Sequence, residues 1–278
     1  MNLYLPFSPD INCGITLGFA GKRENFLGGK LGEMLKLSPK ESVTPDLTFS
    51  EENIAGESVL KHIYGEFDIS ESADGIHIRQ LPREQHVKCN GLLTMKQMLP
   101  CAVRQSWKKG IKTALFHGAM LTHPEHPGQC VLIFGISGMG KSTTAKRWQN
   151  AGGDAAADDM VLVYQNENGD FFARPLPTWS HYPEAVNFNN CYKVNAVLRL
   201  QRGEEDAVIV ADALSWAVDC NKALMFHHYL PNLRQNISTM IAIECMCFGE
   251  NLRQKFDEYD LSTNLDGNLY PALTGLFR

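Results

Sequence analysis

The chain has 278 residues, of which 44% are hydrophobic and 21% are charged, and it has a formal net charge of −5 and a pI near 6.0. This composition is that of an ordinary globular protein with one large domain or two modest ones, and its acidic balance argues against nucleic acid as the main partner. The N-terminus lacks a basic segment followed by an apolar core, and no run approaches about 18 apolar residues. We therefore expect neither a signal peptide nor a membrane contact, and a cytoplasmic location.

The first 90 residues predict a smaller α+β region. Residues 14–19 and 75–81 alternate like strands, and residues 31–37 predict a short helix. Residues 38–58 are rich in Pro, Ser, Glu and Asn, which predicts an exposed loop. Two interpretations of residues 1–90 stay open: an extension of the sheet formed by the later chain, or a separate region that recognises a substrate or partner.

The remaining chain, residues 91–278, predicts a larger domain of mixed α/β structure. A helix is expected over residues 92–107, with Pro100 marking a break or a start. Asn168-Gly169 suits a tight turn between two strands at residues 161–164 and 171–172, and adjacent strands of this kind favour a mixed sheet. Further strands are expected at 195–200 and 207–210, and further helices at 211–224 and 232–247, with 237–246 facing the core.

A glycine-rich segment carries the clearest chemical signal. Residues 135–142 read Gly-Ile-Ser-Gly-Met-Gly-Lys-Ser, which fits the G-x-x-x-x-G-K-[ST] pattern, between an apolar run at 130–134 and a helical pattern at 142–148. In such a loop the backbone N–H groups surround a polyphosphate, the lysine approaches the β- and γ-phosphates, and the serine hydroxyl ligates Mg²⁺. The predicted nucleotide-binding residues are Gly135, Ser137, Gly138, Met139, Gly140, Lys141, Ser142 and Thr143.

Two adjacent carboxylates, Asp158 and Asp159, follow the glycine-rich segment after one helix. Gly152-Gly153 is expected to end that helix, so the acidic pair comes at the end of the next strand. One carboxylate would hold Mg²⁺ while the other accepts a proton from a hydroxyl. The alternative is that one aspartate caps a turn and only the other is functional.

The order of these motifs resembles the catalytic core of the HPr kinase/phosphorylase family, which shares its P-loop fold with the phosphoenolpyruvate carboxykinases. The resemblance rests on residues 115–119 (Leu-Phe-His-Gly-Ala), the glycine-rich segment and the Asp158-Asp159 pair, and it is best over residues 114–165. It implies that His117 contacts phosphate or substrate. Residues 172–179 lack the glycine- and arginine-rich segment that supports the phosphorylase reaction, and look more like the HPr-kinase-related peptide kinases of bacterial biosynthetic cassettes.

The sequence therefore predicts a phosphotransferase that uses ATP and Mg²⁺ to phosphorylate a Ser or Thr hydroxyl of a peptide or small protein, such as a ribosomally made precursor peptide. Asp158 is the expected base, and Ser142 and Asp159 are the expected metal ligands, although the two aspartates could exchange roles. Lys141, His117 and Arg174 complete the predicted catalytic set, with Arg174 neutralising the transferred phosphate.

Several alternatives stay open. The chain could be a nucleotide-gated peptide-binding module without transfer, or a kinase for a small molecule such as an amino acid. Trp179 is a candidate for lining the acceptor site, and Glu184 for a metal ligand, although a place at a helix N-terminus is favoured for Glu184. The donor (a nucleotide or pyrophosphate) and a homo-oligomeric state are also left open.

Overall fold

Two mixed β-sheets and six helices make up the regular structure of the described residues in the computed structural model. Those residues are 1–7, 13–20, 29–41, 43–50, 60–61, 67–72, 75–80, 91–176, 189–225 and 238–277. The helices are α1 (Gly29–Leu35), α2 (Gly91–Lys108), α3 (Lys141–Asn150), α4 (Ala213–Met225), α5 (Ser238–Lys255) and α6 (Leu269–Thr274). The prediction of a mixed α/β fold with mixed sheets is confirmed.

The N-terminal part of the chain forms a sheet of its own, so it does not extend the sheet of the later chain. Neighbouring strands follow the order β3-β1-β2-β4-β7-β6-β5, with β2, β4 and β7 parallel to one another and the other pairs antiparallel. Its strands are β1 (Asn2–Pro6), β2 (Gly14–Phe19), β3 (Ser38–Pro39), β4 (Leu47–Ser50), β5 (Leu60–Lys61), β6 (Phe67–Ser72) and β7 (Gly75–Gln80).

The second sheet contains the segments expected to carry the chemistry. Its strands are β8 (Thr113–His123), β9 (His126–Phe134), β10 (Asp154–Ala157), β11 (Met160–Gln165), β12 (Phe171–Pro175), β13 (Tyr192–Arg202), β14 (Ala207–Val210) and β15 (Tyr259–Thr263). β8 pairs with β11, β11 with β12, β12 with β13, β13 with β9, and β9 with β8. These five strands therefore form a closed ring of hydrogen-bonded neighbours. β10 continues the line of β11 along β8, and β15 and β14 extend the sheet beyond β13.

Every residue of β8 is buried, and alternation along this strand sorts its side chains into three core clusters. Phe116 and Met120 pack in a cluster that includes residues of α4 and α5. Ala119 and Leu121 pack with residues of α3 and α6. Leu115 joins the cluster formed by α2 and the N-terminal sheet, so one apolar cluster contains side chains from both sides of residue 90. The division into 1–90 and 91–278 stays a prediction.

A buried ion pair supports the sheet beside the end of β9. Arg199 on β13 lies next to Phe134, the last residue of β9. Its Nε and Nη2 donate to the two carboxylate oxygens of Asp260 on β15 at 2.7 and 2.8 Å, and its Nη1 donates to Ser215 Oγ on α4 at 2.6 Å. The hydrogen bonds to Asp260 and the charge of its carboxylate raise the pKa of Arg199 above its usual range. The guanidinium thereby joins two strands and a helix in one place.

Three predicted elements differ in the structure. The expected exposed loop at residues 38–58 contains β3 and β4, and Leu47 is buried because β4 lies between two parallel partners. Helix α2 continues through Pro100, where packing outweighs a cost of about 3 kcal/mol for an interior proline. The predicted core-facing stretch 237–246 is partly exposed, since Ile243 is 54% and Met246 56% exposed. None of the described helices is long and apolar enough to span a membrane.

The remaining expectations for regular structure hold where the structure describes them. The turn between β11 and β12 has Gly169 at φ 77°, in the left-handed region that glycine favours. Helix α3 is followed by Gly152 at φ 102°, which is the predicted glycine stop. The predicted strands at 195–200 and 207–210 lie within β13 and β14. Helix α4 covers most of 211–224, whereas α5 is described only from Ser238 onward.

The close approach of β8 and β9 gives a testable requirement for Gly118. A Cβ on Gly118 would lie 2.5 Å from the Ile133 carbonyl oxygen and 2.9 Å from the Phe116 ring, so Gly118→Ala should force the two strands apart. We expect a loss of about 1–3 kcal/mol in the free energy of unfolding, measured by urea denaturation.

Gly275→Ala is the matched control, because a Cβ there would meet open space on right-handed backbone. This change should alter the free energy of unfolding by no more than about 0.5 kcal/mol. Equal stability of the two variants would contradict the close packing described for Gly118.

Candidate functional site

The glycine-rich loop, residues 135–140, joins the buried strand β9 to helix α3. Gly138 and Gly140 have φ values of 81° and 104°, which other residues rarely adopt, and the Met139 N–H donates to the Ile136 carbonyl at 3.1 Å. A Cβ on Gly138 would meet no atom within 4 Å, so the loop is open at this point. Gly140 provides no side-chain cap, so the backbone N–H groups that begin α3 face the loop.

Lys141, the first residue of α3, bends back over the loop. Its Nζ donates to the Gly135 carbonyl at 2.9 Å and approaches the Ile136 carbonyl at 3.5 Å. The side chain is buried, and this burial lowers the pKa of Lys141, while the negative charge of Asp159 acts in the opposite direction. The ammonium group therefore lies at the start of the loop, where the charge of Asp159 acts on it, and an anion bound in the loop would meet a desolvated cation.

The acidic pair connects β10 to β11 along one edge of β8. The Gly118 N–H donates to the Asp159 backbone carbonyl at 3.1 Å, which fixes the pair opposite the middle of β8. Asp158 is buried, with 2% of its surface exposed, whereas the Asp159 side chain is 24% exposed. The two adjacent carboxylates are thus in different environments, and Asp159 is the more accessible of the two.

His117 adds a third group to this site. Its Nε2 lies 3.5 Å from Asp159 Oδ1, and its ring is mostly buried at the end of the β8 segment that pairs with β11. The other edge of β8 pairs with β9 from Gly118 onward. His117 is therefore the residue at which the pairing with β11 ends, directly before the pairing with β9 begins. The structure thereby brings together Lys141, Asp159 and His117, three residues that the resemblance described above assigned to one site.

The remaining predicted loop residues differ in exposure. Ser142, in the first turn of α3, is partly buried, whereas Ser137 and Thr143 are exposed. The Ser142 hydroxyl and the Asp159 carboxylate are oxygen donors of the kind that Mg²⁺ prefers, and Mg²⁺ commonly takes one or two carboxylates plus oxygens of the bound phosphates. The described residues contain no cluster of three or more His, Cys, Asp and Glu side chains that could hold a metal.

Arg174 lies apart from these contacts. It is on β12, is 3% exposed, and donates from Nε to the Phe7 backbone carbonyl of the N-terminal region at 3.4 Å. Burial lowers the pKa of Arg174, while Cys191 and Tyr4 act in the opposite direction. Its predicted role at the transferred phosphate stays a prediction. Trp179 and Glu184 lie outside the described residues.

The structure also shows a cleft that the sequence did not predict. It has a volume of about 610 Å³ and is formed by the end of β8, the start of β9 and β10, Arg174, and the residues that lead into β13. Asp154, Arg174 and the neighbours Asn190 and Tyr192 line it, and they come from three separate parts of the chain. A sequence pattern could not have grouped them, because it is the curvature of the second sheet that brings them together.

Comparison with known proteins identifies a family and distant structural neighbours. The family model described as SynChlorMet cassette protein ScmC matches residues 83–277. No curated protein matches the chain. Among solved structures, the chain is similar to the HPr(Ser) kinase/phosphatase from Coxiella burnetii, with 17% identity over 36% of this chain and 71% of that one, and a TM-score of 0.26. A TM-score of 0.26 does not establish a shared fold, so the HPr-kinase-like core stays a prediction.

The buried state of Lys141 predicts a pH dependence of stability. Because its pKa is lowered in the folded chain, the unfolded chain binds more protons between that lowered pKa and the ordinary value of 10.5. The cost of burying the charge is therefore relieved as pH rises through this window. Relative to Lys141→Met, the wild type should gain stability as pH increases towards 10.5, measured by urea denaturation at several pH values.

Lys146→Met removes an exposed lysine from the same helix and controls for the loss of one positive charge. If the stability difference between Lys141→Met and the wild type does not change with pH, or changes in the opposite direction, the buried ammonium described here is wrong.

Proposed function

This chain belongs to the family of the SynChlorMet cassette protein ScmC, and we propose that it is a kinase that uses Mg·ATP to phosphorylate a Ser or Thr hydroxyl of a peptide or small protein. The observation that carries the proposal is the meeting of Lys141, Asp159 and His117 beside the glycine-rich loop. Phosphoryl transfer requires positioning and neutralisation of charge more than covalent chemistry from the protein, and these residues supply both.

In this proposal the glycine-rich loop binds the polyphosphate of the nucleotide. The N–H groups of the loop and of the first turn of α3 donate to phosphate oxygens, aided by the positive end of the helix dipole. Lys141 exchanges its bonds to loop carbonyls for bonds to phosphate oxygens, which gives the buried charge an anionic partner. The predicted binding residues Ser137, Gly138 and Met139 belong to the loop that surrounds the phosphates.

Ser142 and Asp159 would hold Mg²⁺, which when bound neutralises charge on the transferred phosphoryl group. The partial exposure of the Asp159 side chain suits a ligand that must meet an incoming nucleotide. His117 lies within contact distance of Asp159 and orients that carboxylate, or contacts the phosphate itself. Asp158 would accept the proton of the attacking hydroxyl, and its neighbour would take over this role if the two aspartates are exchanged.

The burial of Asp158 favours a second candidate function. A base must reach the hydroxyl that it deprotonates, and Asp158 is 2% exposed. If it cannot reach the acceptor, the protein would bind nucleotide and peptide without transfer, as a nucleotide-gated binding module. Variants of the acidic pair separate the two candidates.

Asn substitutions should divide the roles of the two aspartates. We expect Asp158→Asn to keep ATP affinity and to lower phosphoryl transfer on the order of 100-fold or more, because a well-placed base contributes at least that much. Asp159→Asn should lower transfer and also raise the Mg²⁺ concentration needed for half-maximal ATP binding. Calorimetric titration and transfer rates measure both effects.

Asp257→Asn, which changes an exposed aspartate between α5 and β15, is the control and should match the wild type. If the phenotypes of Asp158→Asn and Asp159→Asn are swapped, the assignment of base and metal ligand is reversed. Wild-type transfer by both variants would remove the acidic pair from the chemistry.

The direct test of the function is mass spectrometry of peptides encoded beside the gene, after incubation with the protein and Mg·ATP. The proposal expects a gain of one phosphate on Ser or Thr, which Lys141→Ala abolishes together with productive ATP binding. Tight ATP binding without phosphorylation of any peptide would favour the binding module. Phosphorylation confined to a free amino acid or another small alcohol would favour a small-molecule kinase.

A further inference from the structure

The second sheet ends at β14, and among the described residues no strand pairs with the outer edge of β14. The four residues of β14, Ala-Val-Ile-Val, include neither a charge nor a proline, which are the usual means of protecting a free edge. Ile209 is 49% exposed and Val210 is 80% exposed. An open edge of this kind is a template for pairing with another extended chain.

The register shows which backbone groups of β14 face the open edge. The Ala211 N–H donates to the Glu258 carbonyl at 3.0 Å, so these two residues form a hydrogen-bonded pair that continues the register of β14 and β15. In an antiparallel ladder, hydrogen-bonded and non-hydrogen-bonded pairs alternate. Counting back from Ala211, Ile209 also bonds to β15, whereas the N–H and C=O groups of Val208 and Val210 face away from it. The open edge therefore offers donors and acceptors to an added strand.

Exposed apolar side chains concentrate in the same stretch of chain. Of the ten large apolar side chains that are exposed among the described residues, four lie between positions 209 and 218. They are Ile209 and Val210 on β14, and Leu214 and Val218 on α4. A single exposed apolar side chain needs no explanation, whereas a group of them beside an open strand edge indicates an interaction surface.

Carboxylates flank β14 at both ends. Glu204 and Glu205 are exposed between β13 and β14. Asp212 follows β14, and hydrogen bonds from the Ser215 N–H and hydroxyl lower the pKa of Asp212, so it is ionised at neutral pH. The nearest cation along the chain, Arg202, ends β13, and β15 lies between β13 and β14. The ends of the open edge are therefore negatively charged.

These charges disfavour a second copy of the chain as the occupant of the edge. Two copies paired through β14 about a twofold axis would run antiparallel, so the start of each strand would lie beside the end of the other. Glu204 and Glu205 of one copy would then approach Asp212 of the other, and like charges that face each other across a ladder are destabilising. A segment with Lys or Arg on both sides of an apolar stretch has the complementary charge.

We infer that β14 binds an extended segment of another protein as an added β-strand, and that this segment has apolar residues between flanking Lys or Arg residues. Hydrogen bonds to the backbone of Val208 and Val210 provide affinity, and the carboxylates at the two ends provide selectivity. The inference goes beyond the proposed function, because β13 and β15 separate β14 from β9 and the glycine-rich loop. It does not require phosphoryl transfer.

The test measures the binding of fluorescein-labelled peptides to the full chain by fluorescence anisotropy, without nucleotide. The lysine peptide is Lys-Lys-Val-Thr-Val-Thr-Val-Lys-Lys, and the matched glutamate peptide has Glu in place of each Lys. We expect the lysine peptide to bind at least tenfold more tightly, with an advantage that falls as salt is added, because the flanking charges are exposed. Equal affinity of the two peptides, or binding of neither, would overturn the inference.

Variants of Val210 test the backbone contacts. Val210→Pro removes an N–H that faces the open edge and leaves the bonds to β15 in place, whereas Val210→Thr keeps this N–H. We expect the lysine peptide to bind at least tenfold more weakly to Val210→Pro, and to change less than threefold for Val210→Thr. Ile243→Thr, which changes an exposed apolar residue of α5, is the control and should match the wild type. Equal affinity of the two Val210 variants would contradict strand addition.

Charge variants keep the inference testable if Val210→Pro does not fold. Glu204→Gln, Glu205→Gln and Asp212→Asn together remove the flanking carboxylates, and Asn keeps a capping acceptor at the start of α4. The lysine peptide should then lose its advantage over the glutamate peptide. Glu167→Gln, in the turn between β11 and β12, is the control and should keep this advantage. An unchanged preference in the triple variant would overturn the inference.

Lys141→Ala keeps this test separate from the proposed function. This variant should lose productive ATP binding and keep the wild-type affinity for the lysine peptide, and that result supports the inference whether or not the wild type transfers phosphate. Loss of peptide binding in Lys141→Ala would place the segment at the candidate functional site and overturn the inference. A dimer in analytical ultracentrifugation that Val210→Pro dissociates would identify a second copy as the occupant, which would also overturn it.

Discussion

Strand β8 is the constraint on which the rest of the structure depends. All eleven of its residues are buried, so it must be covered on both faces and paired along both edges. One edge pairs with β9 and the other with β10 and then β11, while α2, α3, α4 and α5 cover the faces. At the middle of this strand the pairing with β11 ends and the pairing with β9 begins. A side chain does not fit at Gly118 there, because its Cβ would lie 2.5 Å from the Ile133 carbonyl oxygen. The candidate site is built at this point: the glycine-rich loop leaves from β9, and Asp158-Asp159 lies across β8 from it.

Two of the three titratable groups of the site, Lys141 and His117, are buried, and the Asp159 side chain is 24% exposed. Lys141 lies against loop carbonyls under the influence of Asp159, and His117 approaches the same carboxylate. Beside the end of β9, Arg199 and Asp260 form a buried ion pair with two hydrogen bonds. Loss of either partner would leave an unpaired buried charge, which is strongly destabilising. The ends of β9 and β13 are therefore firmly placed. In the proposed function the loop binds a polyphosphate, and such preorganised supports would leave little rearrangement to be made on binding.

Arg174 shows what the tertiary structure adds to a position that the sequence singled out. Its position in the chain, shortly after the acidic pair, suggested a partner for the transferred phosphate. In the fold it lies on β12, two strands from β8, against the N-terminal region and at the wall of a separate cleft. The N-terminal sheet accordingly supports a surface near the site without joining the second sheet.

The sequence by itself determined the local parts of this protein. The order strand, glycine-rich loop and helix, the glycine stop at Gly152, the turn at Gly169 and the acidic pair after a short strand are all read from neighbouring residues, because local backbone preferences decide them. The sequence did not reveal β4, whose short run gains its burial from partners elsewhere, nor the passage of α2 through Pro100, where packing outweighs propensity. The proximity of Lys141, Asp159 and His117, the unequal burial of Asp158 and Asp159, and the cleft at Arg174 were decided only by the tertiary structure. Each depends on strand pairing and sheet curvature between residues far apart in the chain, which no local pattern encodes.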